Sequence, residues 1–339
     1  MGERAPVLRG KGIWARPRRD GTSELERAIQ IAHQVGATHV FYKVGYGSTS
    51  LQGSAQAARR IADAGLVPFA WSWLLLDDPL GEAQVAARAF EDGYQGFVFD
   101  TEAPCSGKFD AARALVRAVR DAGLDLTRLY NCSFPNISHH RDLPYDELNE
   151  ICHGGLMPMA YGTFYLPGSE VPWEAQARKV IDEWTYGHYE VWCRRWGYRP
   201  LLYPVLAPYH DESGSVRMGP EEFRVWLDRL AAHRPTFFSV FTAAVVADDL
   251  LPLIRDFPLV EEEEVLPPVP ETAWVRALEG AVLYAQPDPA SRRLRAVIYG
   301  TPLEGLAWRA GADGARWLQV RTEDGSLGWV QAERIAAVD

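Results

Sequence analysis

Two acidic residues spaced two apart, Asp100 and Glu102, end a short apolar run that begins at Gly96. Side chains alternate along a β-strand, so a strand over 96–102 would place Val98, Asp100 and Glu102 on one face. Burying two carboxylates at the end of an apolar strand costs free energy, so we expect their charges to serve a function. The two residues would lie roughly 6–7 Å apart at the backbone. Repulsion at that distance should raise the pKa of one carboxyl group, which favours a general acid near neutral pH.

A repeated unit between Lys11 and Phe257 must position this pair. In each repeat an amphipathic helix ends at a glycine, which adopts positive φ at low cost, and a short apolar strand follows. Eight strands with intervening helices predict an α/β fold, a (β/α)8 TIM barrel with catalytic residues at the C-terminal strand ends. The main alternative is a doubly wound open sheet, but no Gly-x-Gly-x-x-Gly motif supports its nucleotide-binding form. The predicted strands are Gly12–Ala15, His39–Val44, Val67–Trp73, Gly96–Glu102, Arg128–Ser133, Leu156–Tyr161, Leu201–Pro208 and Phe237–Thr242.

Further polar and aromatic side chains are predicted at the C-terminal ends of these strands. Aromatic rings stack on the apolar face of a sugar ring, while carboxylates supply proton transfer and charge. A phosphate substrate would need an arginine or glycine cluster, which the strand ends lack. The mixture therefore favours a carbohydrate substrate. Besides the acidic pair, the predicted substrate-binding residues are Lys43, Trp71, Trp73, Asp77, Tyr130, Asn131, Tyr209 and Asp211.

Structural roles are the alternative for several of these residues. The acidic pair could form a salt bridge with an arginine such as Arg16, or bind a metal. Lys43 is expected to pair with a barrel acid, because a lysine is seldom buried without a partner. Trp71 and Trp73 point the same way along one strand, and we expect one to line a cleft and the other to pack inside the barrel.

The fourth strand resembles a motif of glycoside hydrolase family 18, the chitinase family. That motif reads D-x-x-D-x-D-x-E and aligns with 95–102. Asp100 and Glu102 match its last two acids, while Gln95 and Val98 stand in place of the first two. The family's sixth-strand motif, Met-x-Tyr-Asp, is matched in part by Met159-Ala160-Tyr161-Gly162, with glycine in place of the aspartate.

The barrel sequence is also similar to the family 25 lysozymes. The similarity includes the acidic pair, the segment Phe41-Tyr42-Lys43-Val44, and the run Ala64-Gly65-Leu66 that leads into Pro68-Phe69-Ala70-Trp71. Those lysozymes carry an aspartate on the first strand, whereas the first strand here reads Gly12-Ile13-Trp14-Ala15-Arg16. Both resemblances cover the barrel and each matches only in part.

The family 18 resemblance implies a role for three residues. Glu102 would be the general acid that protonates the glycosidic oxygen. Asp100 would orient and stabilise a substrate N-acetyl group that acts as the nucleophile, and Tyr161 would hydrogen-bond that group. This substrate-assisted reaction differs from the usual two-carboxylate scheme of glycosidases. Val98 removes one acid of the family's proton relay.

The C-terminal part predicts a linker and a small second domain. The linker, Leu259–Thr272, holds four consecutive glutamates and a Pro-Pro-Val-Pro run, a composition that does not pack. Residues 273–339 resemble a bacterial SH3-like domain, most specifically in Gly325-Ser326-Leu327-Gly328-Trp329-Val330. This resemblance implies a ligand-binding appendage of the kind found on cell-wall enzymes. Trp317 and Trp329 are expected in its core, and the barrel domain would span 10–258.

Composition narrows the possible partners. A net charge of −10 over 339 residues argues against nucleic-acid or anionic-membrane binding. The sequence has no apolar run of bilayer length and no apolar signal-peptide core at its start. The four cysteines lack C-x-x-C spacing, which favours free thiols over a metal site or disulfides. A wall substrate would imply a cell-wall or extracellular location, and any other function a cytoplasmic one.

The sequence therefore predicts a glycosidase that acts on an N-acetylhexosamine polymer, with peptidoglycan favoured and no cofactor. Two alternatives stay open. In one, a non-catalytic barrel binds glycan or cell wall after losing the relay. In the other, a hydrolase of a different polysaccharide uses Glu102 with a second carboxylate from Asp77 or Asp211, although both acids also fit turn or loop positions.

Overall fold

The computed structural model describes residues 6–17, 24–162, 170–196, 198–210, 216–260, 273–278, 280–298, 300–310, 315–323 and 325–337. The chain divides into two compact units. The first unit comprises Met1–His188 and Pro200–Val265, and the second comprises Tyr189–Arg199 and Leu266–Asp339. The predicted linker lies outside the described residues from 261 onward.

The first unit is a closed barrel of eight parallel strands, which confirms the predicted (β/α)8 fold. Each strand pairs with the next along the chain, and β1 pairs with both β2 and β8 to close the barrel. The residues Thr49–Ser50 form a short antiparallel hairpin with the end of β2. The barrel strands are β1 (Gly10–Ala15), β2 (His39–Tyr46), β3 (Val67–Leu74), β4 (Gly96–Thr101), β5 (Leu129–Ser133), β6 (Gly155–Tyr161), β7 (Val205–Ala207) and β8 (Phe237–Val240).

Four strands are shorter than the sequence predicts. The fifth begins at Leu129 instead of Arg128, and the eighth ends at Val240 instead of Thr242. The seventh was expected over Leu201–Pro208 but spans only Val205–Ala207, because Pro204 and Pro208 have no N–H to donate to a neighbouring strand. The fourth ends at Thr101, one residue before the predicted end.

Helices connect the strands of the barrel along the chain. The helix α1 ends at Gly36, which adopts φ 64° and closes the last turn through its backbone N–H. A π-helical segment, Arg178–Gly187, joins α6 to α7. The helices are α1 (Leu25–Val35), α2 (Ser54–Asp63), α3 (Pro79–Glu91), α4 (Phe109–Asp121), α5 (Tyr145–Asn149), α6 (Trp173–Ala177), α7 (His188–Trp196), α8 (Pro220–Ala231) and α9 (Leu251–Asp256).

Aromatic side chains fill the interior of the barrel. Trp14 stacks on Phe41 with ring centroids 4.7 Å apart, and its indole N–H donates to Ser239 Oγ at 2.8 Å. Gly96 faces the same interior, where a Cβ atom would lie 2.3 Å from the Phe69 ring. The absence of a side chain at Gly96 therefore leaves the space that Phe69 occupies. This packed interior supports the polar residues at the C-terminal strand ends.

The C-terminal unit contains a seven-stranded antiparallel sheet, separate from the barrel. Its strand order is β11-β10-β14-β13-β12-β9-β15. Trp317 and Trp329 are buried beside Tyr284, as predicted for core residues. The strands are β9 (Ala273–Ala277), β10 (Val282–Tyr284), β11 (Arg293–Ala296), β12 (Pro302–Ala310), β13 (Arg316–Arg321), β14 (Leu327–Gln331) and β15 (Ile335–Ala337).

Two further observations concern the described part of the chain. The cysteines Cys105, Cys132, Cys152 and Cys193 are all free and buried. Within the ranges that the structure covers, no helix combines the length and the apolar character needed to cross a membrane.

Candidate active site

The acidic pair lies at the C-terminal end of β4. Asp100 is buried inside the barrel, in register with Trp73 on β3 and Cys132 on β5. Glu102 is half-buried and follows the strand in extended backbone, with φ −126° and ψ −167°, immediately before the turn at 103–105. The pair therefore combines an interior carboxyl group with a more accessible one just above it.

The charge of Asp100 is strongly influenced by its surroundings. Burial raises the pKa of its carboxyl group well above the ordinary value, and the Glu102 carboxylate raises that pKa further. The Lys43 ammonium acts in the opposite direction. Two interacting carboxyl groups titrate as a pair, and one proton shared between them avoids placing two negative charges together in a desolvated site.

Lys43 faces the acidic pair from β2, inside a group of aromatic rings. Its Nζ atom lies 4.7 Å from the ring centroid of Trp71, 5.5 Å from that of Trp73 and 5.6 Å from that of Tyr46. Burial lowers the pKa of the ammonium group, and Asp100 is the strongest of the charges that raise it again. The charge of Lys43 therefore interacts most strongly with that of the barrel acid Asp100.

The two tryptophans of β3 have different environments. Trp71 is buried in the barrel, and its indole N–H donates to the backbone oxygen of Ala15 at 3.2 Å. Trp73 is half-buried and meets the exposed Tyr46 edge to face, with ring centroids 5.2 Å apart. Trp73 and Tyr46 therefore form an aromatic surface that continues outward from the acidic pair.

Tyr161, at the end of β6, faces the pair from another side of the barrel. Burial raises the pKa of its phenol well above the ordinary value, and both Asp100 and Glu102 add to this effect. Its ring stacks on Phe241 at 5.7 Å and lies 6.0 Å from Tyr209. The phenol therefore keeps its proton as a hydrogen-bond donor beside the carboxyl groups. The peptide bond between Phe241 and Thr242 is cis.

The two departures from the family 18 motifs are both visible in the structure. Val98 is fully buried in the barrel, in register with Trp71 and Tyr130. Beyond Tyr161, a Cβ atom on Gly162 would lie 2.2 Å from Met218 Cε. The same Cβ atom would also lie 3.2 Å from the Tyr209 backbone oxygen and 3.3 Å from His210 Nδ1. As valine and glycine, neither residue offers an acid to the pair.

Three of the predicted substrate-binding residues lie elsewhere in the fold. Tyr130 is buried in the barrel core, with its ring 5.3 Å from Phe69. Asn131 alternates with it along β5 and points away from the barrel interior. Asp77 is exposed in the loop after β3, where it pairs with Lys108 Nζ at 2.5 Å. A fourth predicted residue, Asp211, lies outside the described residues.

Two residues of the site have no clear signal in the sequence. Cys132 lies close enough to the pair for their charges to affect it. Burial raises the pKa of its thiol well above the ordinary value, and Asp100 raises it further. Phe241 packs against Tyr161 and edge to face with Trp71 at 5.9 Å. Period-two alternation on β5 places Cys132 on the inner face, but nothing local shows that Phe241 meets Tyr161.

A buried glutamate fixes the loop beside the site. Glu82 on α3 accepts hydrogen bonds from the backbone N–H of Leu75 at 2.8 Å and of Leu76 at 2.9 Å. Leu76 has φ 58°, a strained conformation for a residue with a branched side chain. The carboxylate therefore holds the start of the β3–α3 loop in place next to Trp73.

Arg16 and a metal ion are the structural alternatives that the sequence leaves open for the acidic pair. The Arg16 guanidinium pairs with Glu24, with Nε 3.1 Å from Oε1. Across the described ranges, no group of three or more His, Cys, Asp or Glu side chains is arranged to hold a metal ion.

No protein-family model matches the chain, and no curated protein matches it in sequence. Solved structures do match its fold. The C-terminal domain of a putative chitinase from Desulfitobacterium hafniense DCB-2 matches with a TM-score of 0.54 at 10% identity, over 74% of this chain and 99% of that chain. The spore cortex-lytic enzyme SleL of Bacillus cereus matches with a TM-score of 0.54 at 11% identity, over 76% of each chain.

The modular autolysin LytC from Streptococcus pneumoniae gives a shorter match, with a TM-score of 0.30 at 12% identity. That match spans 35% of this chain and 31% of the autolysin. At these identities, the matches to the chitinase domain and to SleL show a shared barrel fold.

Proposed function

We propose that this protein is a glycoside hydrolase that cleaves an N-acetylhexosamine polymer, with peptidoglycan as its substrate. The observation that carries the proposal is the position of Glu102, which lies just beyond the C-terminal end of a barrel strand and beside the buried Asp100. Catalytic groups of TIM barrels lie at these strand ends. The barrel is shared with a putative chitinase domain and with a spore cortex-lytic enzyme, which supports the choice of polymer.

In the proposed reaction, the acidic pair supplies one proton. Burial favours the proton on Asp100 in the free protein. When substrate enters, Asp100 passes this proton to Glu102, which donates it to the glycosidic oxygen as the bond to the leaving sugar breaks. Asp100 is then a carboxylate, able to stabilise positive charge beside it.

The nucleophile in this proposal belongs to the substrate. The carbonyl oxygen of an N-acetyl group attacks the anomeric carbon, and the Asp100 carboxylate stabilises the positive charge that develops on the amide nitrogen. Tyr161 donates its phenol hydrogen to the N-acetyl oxygen and orients the group. Water then opens the cyclic intermediate with net retention, while Glu102 accepts the proton of the water.

The aromatic surface would bind the sugar rings. Trp73 and Tyr46 present their rings next to the acidic pair, and the half-buried Lys43 adds a cation at the base of this surface. A pyranose ring stacks well on such side chains because its C–H face is apolar. Tyr209, near Tyr161, would complete the binding site from the opposite side.

For the C-terminal unit we propose a wall-binding role, which would hold the barrel near its insoluble substrate. The protein would then act at the cell wall or outside the cell, and the net charge of −10 makes nucleic acid an unsuitable partner.

A second candidate is a barrel that binds glycan without cleaving it. The buried Val98 favours this candidate, because the position carries no acid to pass a proton to Asp100. A hydrolase that instead uses a second carboxylate finds less support, since Asp77 is exposed and paired with Lys108.

The test is the release of reducing sugars from purified peptidoglycan and from chitin oligomers. Wild-type protein is compared with Glu102→Gln, and Asp77→Asn serves as a matched control at an exposed acid. Turnover by the wild type and the control, together with a loss of at least about 100-fold in Glu102→Gln, supports the proposal. Equal, negligible turnover by all three proteins with retained binding to the glycan would establish the non-catalytic candidate instead.

A further inference from the structure

A cation lies inside the barrel next to the two carboxyl groups. Lys43 occupies β2, in register with Trp71 on β3, and the next strand along carries Asp100. Its ammonium lies within 5.6 Å of the ring centroids of Tyr46, Trp71 and Trp73. Ring faces attract a cation without neutralising it, so the positive charge of Lys43 stays available to the acidic pair.

Arg16, which follows β1, is the other cation that acts on Lys43. After burial and Asp100 it has the largest effect on the pKa of the Lys43 ammonium, which it lowers, and its guanidinium is paired with Glu24. From β5 and β6, Cys132 and Tyr161 face the carboxyl groups, and burial raises the pKa of the thiol and of the phenol so that both stay neutral. Asp100, Glu102 and Lys43 are therefore the three charged groups inside the site, and the half-exposed Arg16, paired with Glu24, is a further influence on Lys43.

We propose that Lys43 is a positioning residue that sets the ionisation of the Asp100–Glu102 pair, in a site where the buried Val98 offers no acid to do so. This inference rests on the proposed function of the pair in glycoside hydrolysis. With the ammonium in place, the pair gives up its first proton readily, because the remaining negative charge is balanced. Asp100 can then be a carboxylate while Glu102 still holds the proton that catalysis needs.

Loss of the ammonium changes this balance in a defined direction. An opposite charge within a few ångströms favours the ionised form of a carboxyl group, so its removal raises both apparent pKa values of the pair. The acid limb of the pH profile reports the first ionisation and the alkaline limb reports the second. Both limbs therefore move to higher pH when the charge of Lys43 is lost.

The first experiment measures kcat/KM against pH for wild type and Lys43→Met, which keeps the length of the side chain and removes its charge. Both limbs are expected to move up by about one pH unit. Lys11→Met is the matched control, because Lys11 is also buried in a barrel strand but bonds the backbone oxygen of Arg255. Limbs that stay in place in Lys43→Met, or that move equally in Lys11→Met, overturn the inference.

A chemical rescue separates charge from shape. Alkylation of Lys43→Cys with bromoethylamine restores an ammonium at nearly the original distance, and the four native cysteines are buried and protected from the reagent. Return of both limbs toward their wild-type positions is expected. An alkylated protein that keeps the profile of Lys43→Met shows that packing, and not charge, is responsible.

A titration without substrate keeps the inference independent of turnover. The ¹³C signal of the Asp100 carboxyl carbon, assigned through Asp100→Asn, is followed against pH in wild type and in Lys43→Met. Its midpoint is expected to rise in Lys43→Met, and an unchanged midpoint overturns the inference. If the wild type cleaves no glycan, the proposed function fails, while this titration still decides whether Lys43 controls the pair.

Discussion

Asp100 and Cys132 lie side by side inside the barrel, paired in register between β4 and β5. Both side chains are buried, and the Asp100 carboxylate raises the energetic cost of a negative charge on the Cys132 thiol. The neighbour of the central carboxyl group is therefore a neutral thiol on this side. In this buried position, an ionised Asp100 lowers the free energy of unfolding.

Asp100→Asn should make the protein more stable and less active. The raised pKa means that the folded state holds a proton on Asp100 that the unfolded chain releases above pH about 3.9, so this residue destabilises the fold as pH rises. The variant should gain about 0.5–2 kcal/mol in free energy of unfolding at pH 7, the range common for single stabilising substitutions.

Urea denaturation at pH 7 and at pH 3.5 measures this effect. The gain should shrink at the lower pH, where Asp100 is protonated in both states. Asp77→Asn, at an exposed acid, is the control and should show little change at either pH. A variant less stable than wild type at pH 7 would contradict the argument from burial.

His39 should make stability fall under mildly acidic conditions. It is buried among Phe41, Phe69 and Phe237, and burial lowers the pKa of the imidazole to about 4. In the unfolded chain the imidazole becomes protonated below about pH 6.5, whereas in the folded protein it becomes protonated only below about pH 4. The stabilisation from neutral His39 is therefore fully present above pH 6.5, and about 3 kcal/mol of it is lost as the pH falls to 4.

The measurement is the slope of unfolding free energy against pH between 4 and 7.5. His39→Leu should flatten this slope, whereas His33→Gln, at an exposed position on α1, should leave it unchanged. His188, whose pKa burial also lowers to about 4, contributes a slope of the same sign in all three proteins. Equal slopes in His39→Leu and wild type would show that His39 is accessible to protons.

Val98→Asp should not restore the missing acid of the family motif. The position lies between Trp71 and Tyr130 in the filled interior, where a carboxyl group loses its water without gaining a designed partner. We expect a loss of about 3 kcal/mol or more in unfolding free energy, with no gain in turnover. Val98→Thr is the control of similar shape, and a Val98→Asp protein that is both stable and faster would refute this account.

Trp73→Ala should weaken glycan binding more than catalysis. The ring is half-buried at the edge of the site and meets Tyr46, so its removal takes away a stacking surface but no proton-transfer group. The KM for chitin oligomers, or the Kd for a non-cleaved glycan, should rise by about tenfold, with kcat changed less. Tyr198→Ala, at an exposed aromatic residue of the second unit, provides the comparison.

Much of the barrel was predictable because its signals are local. Alternation within each apolar run identifies the strands, and glycines such as Gly36 mark the helix ends. The same alternation places Asp100 on the inner face, although the strand ends at Thr101, one residue earlier than predicted, so that Glu102 follows it. The prolines on either side of β7 explain why this strand is shorter than predicted. Their effect on strand pairing depends on the neighbouring strands and cannot be read locally.

Other features were decided only by the tertiary structure. Alternation fixes the face of a strand on which a residue lies, but not its height in the barrel or its neighbours across it. Tyr130 and Tyr161 both face inward, yet one packs in the core and the other beside the carboxyl groups. The pairing of Asp77 with Lys108 likewise joins residues 31 positions apart.

The acidic pair illustrates the division. Its residue types, spacing and strand position can be read along the chain, because all three are local. Its ionisation cannot, because burial, Lys43 from β2 and Tyr161 from β6 come together only when the strands close into a barrel. The sequence by itself determined which side chains could do chemistry, and the closed barrel decided which charges they meet.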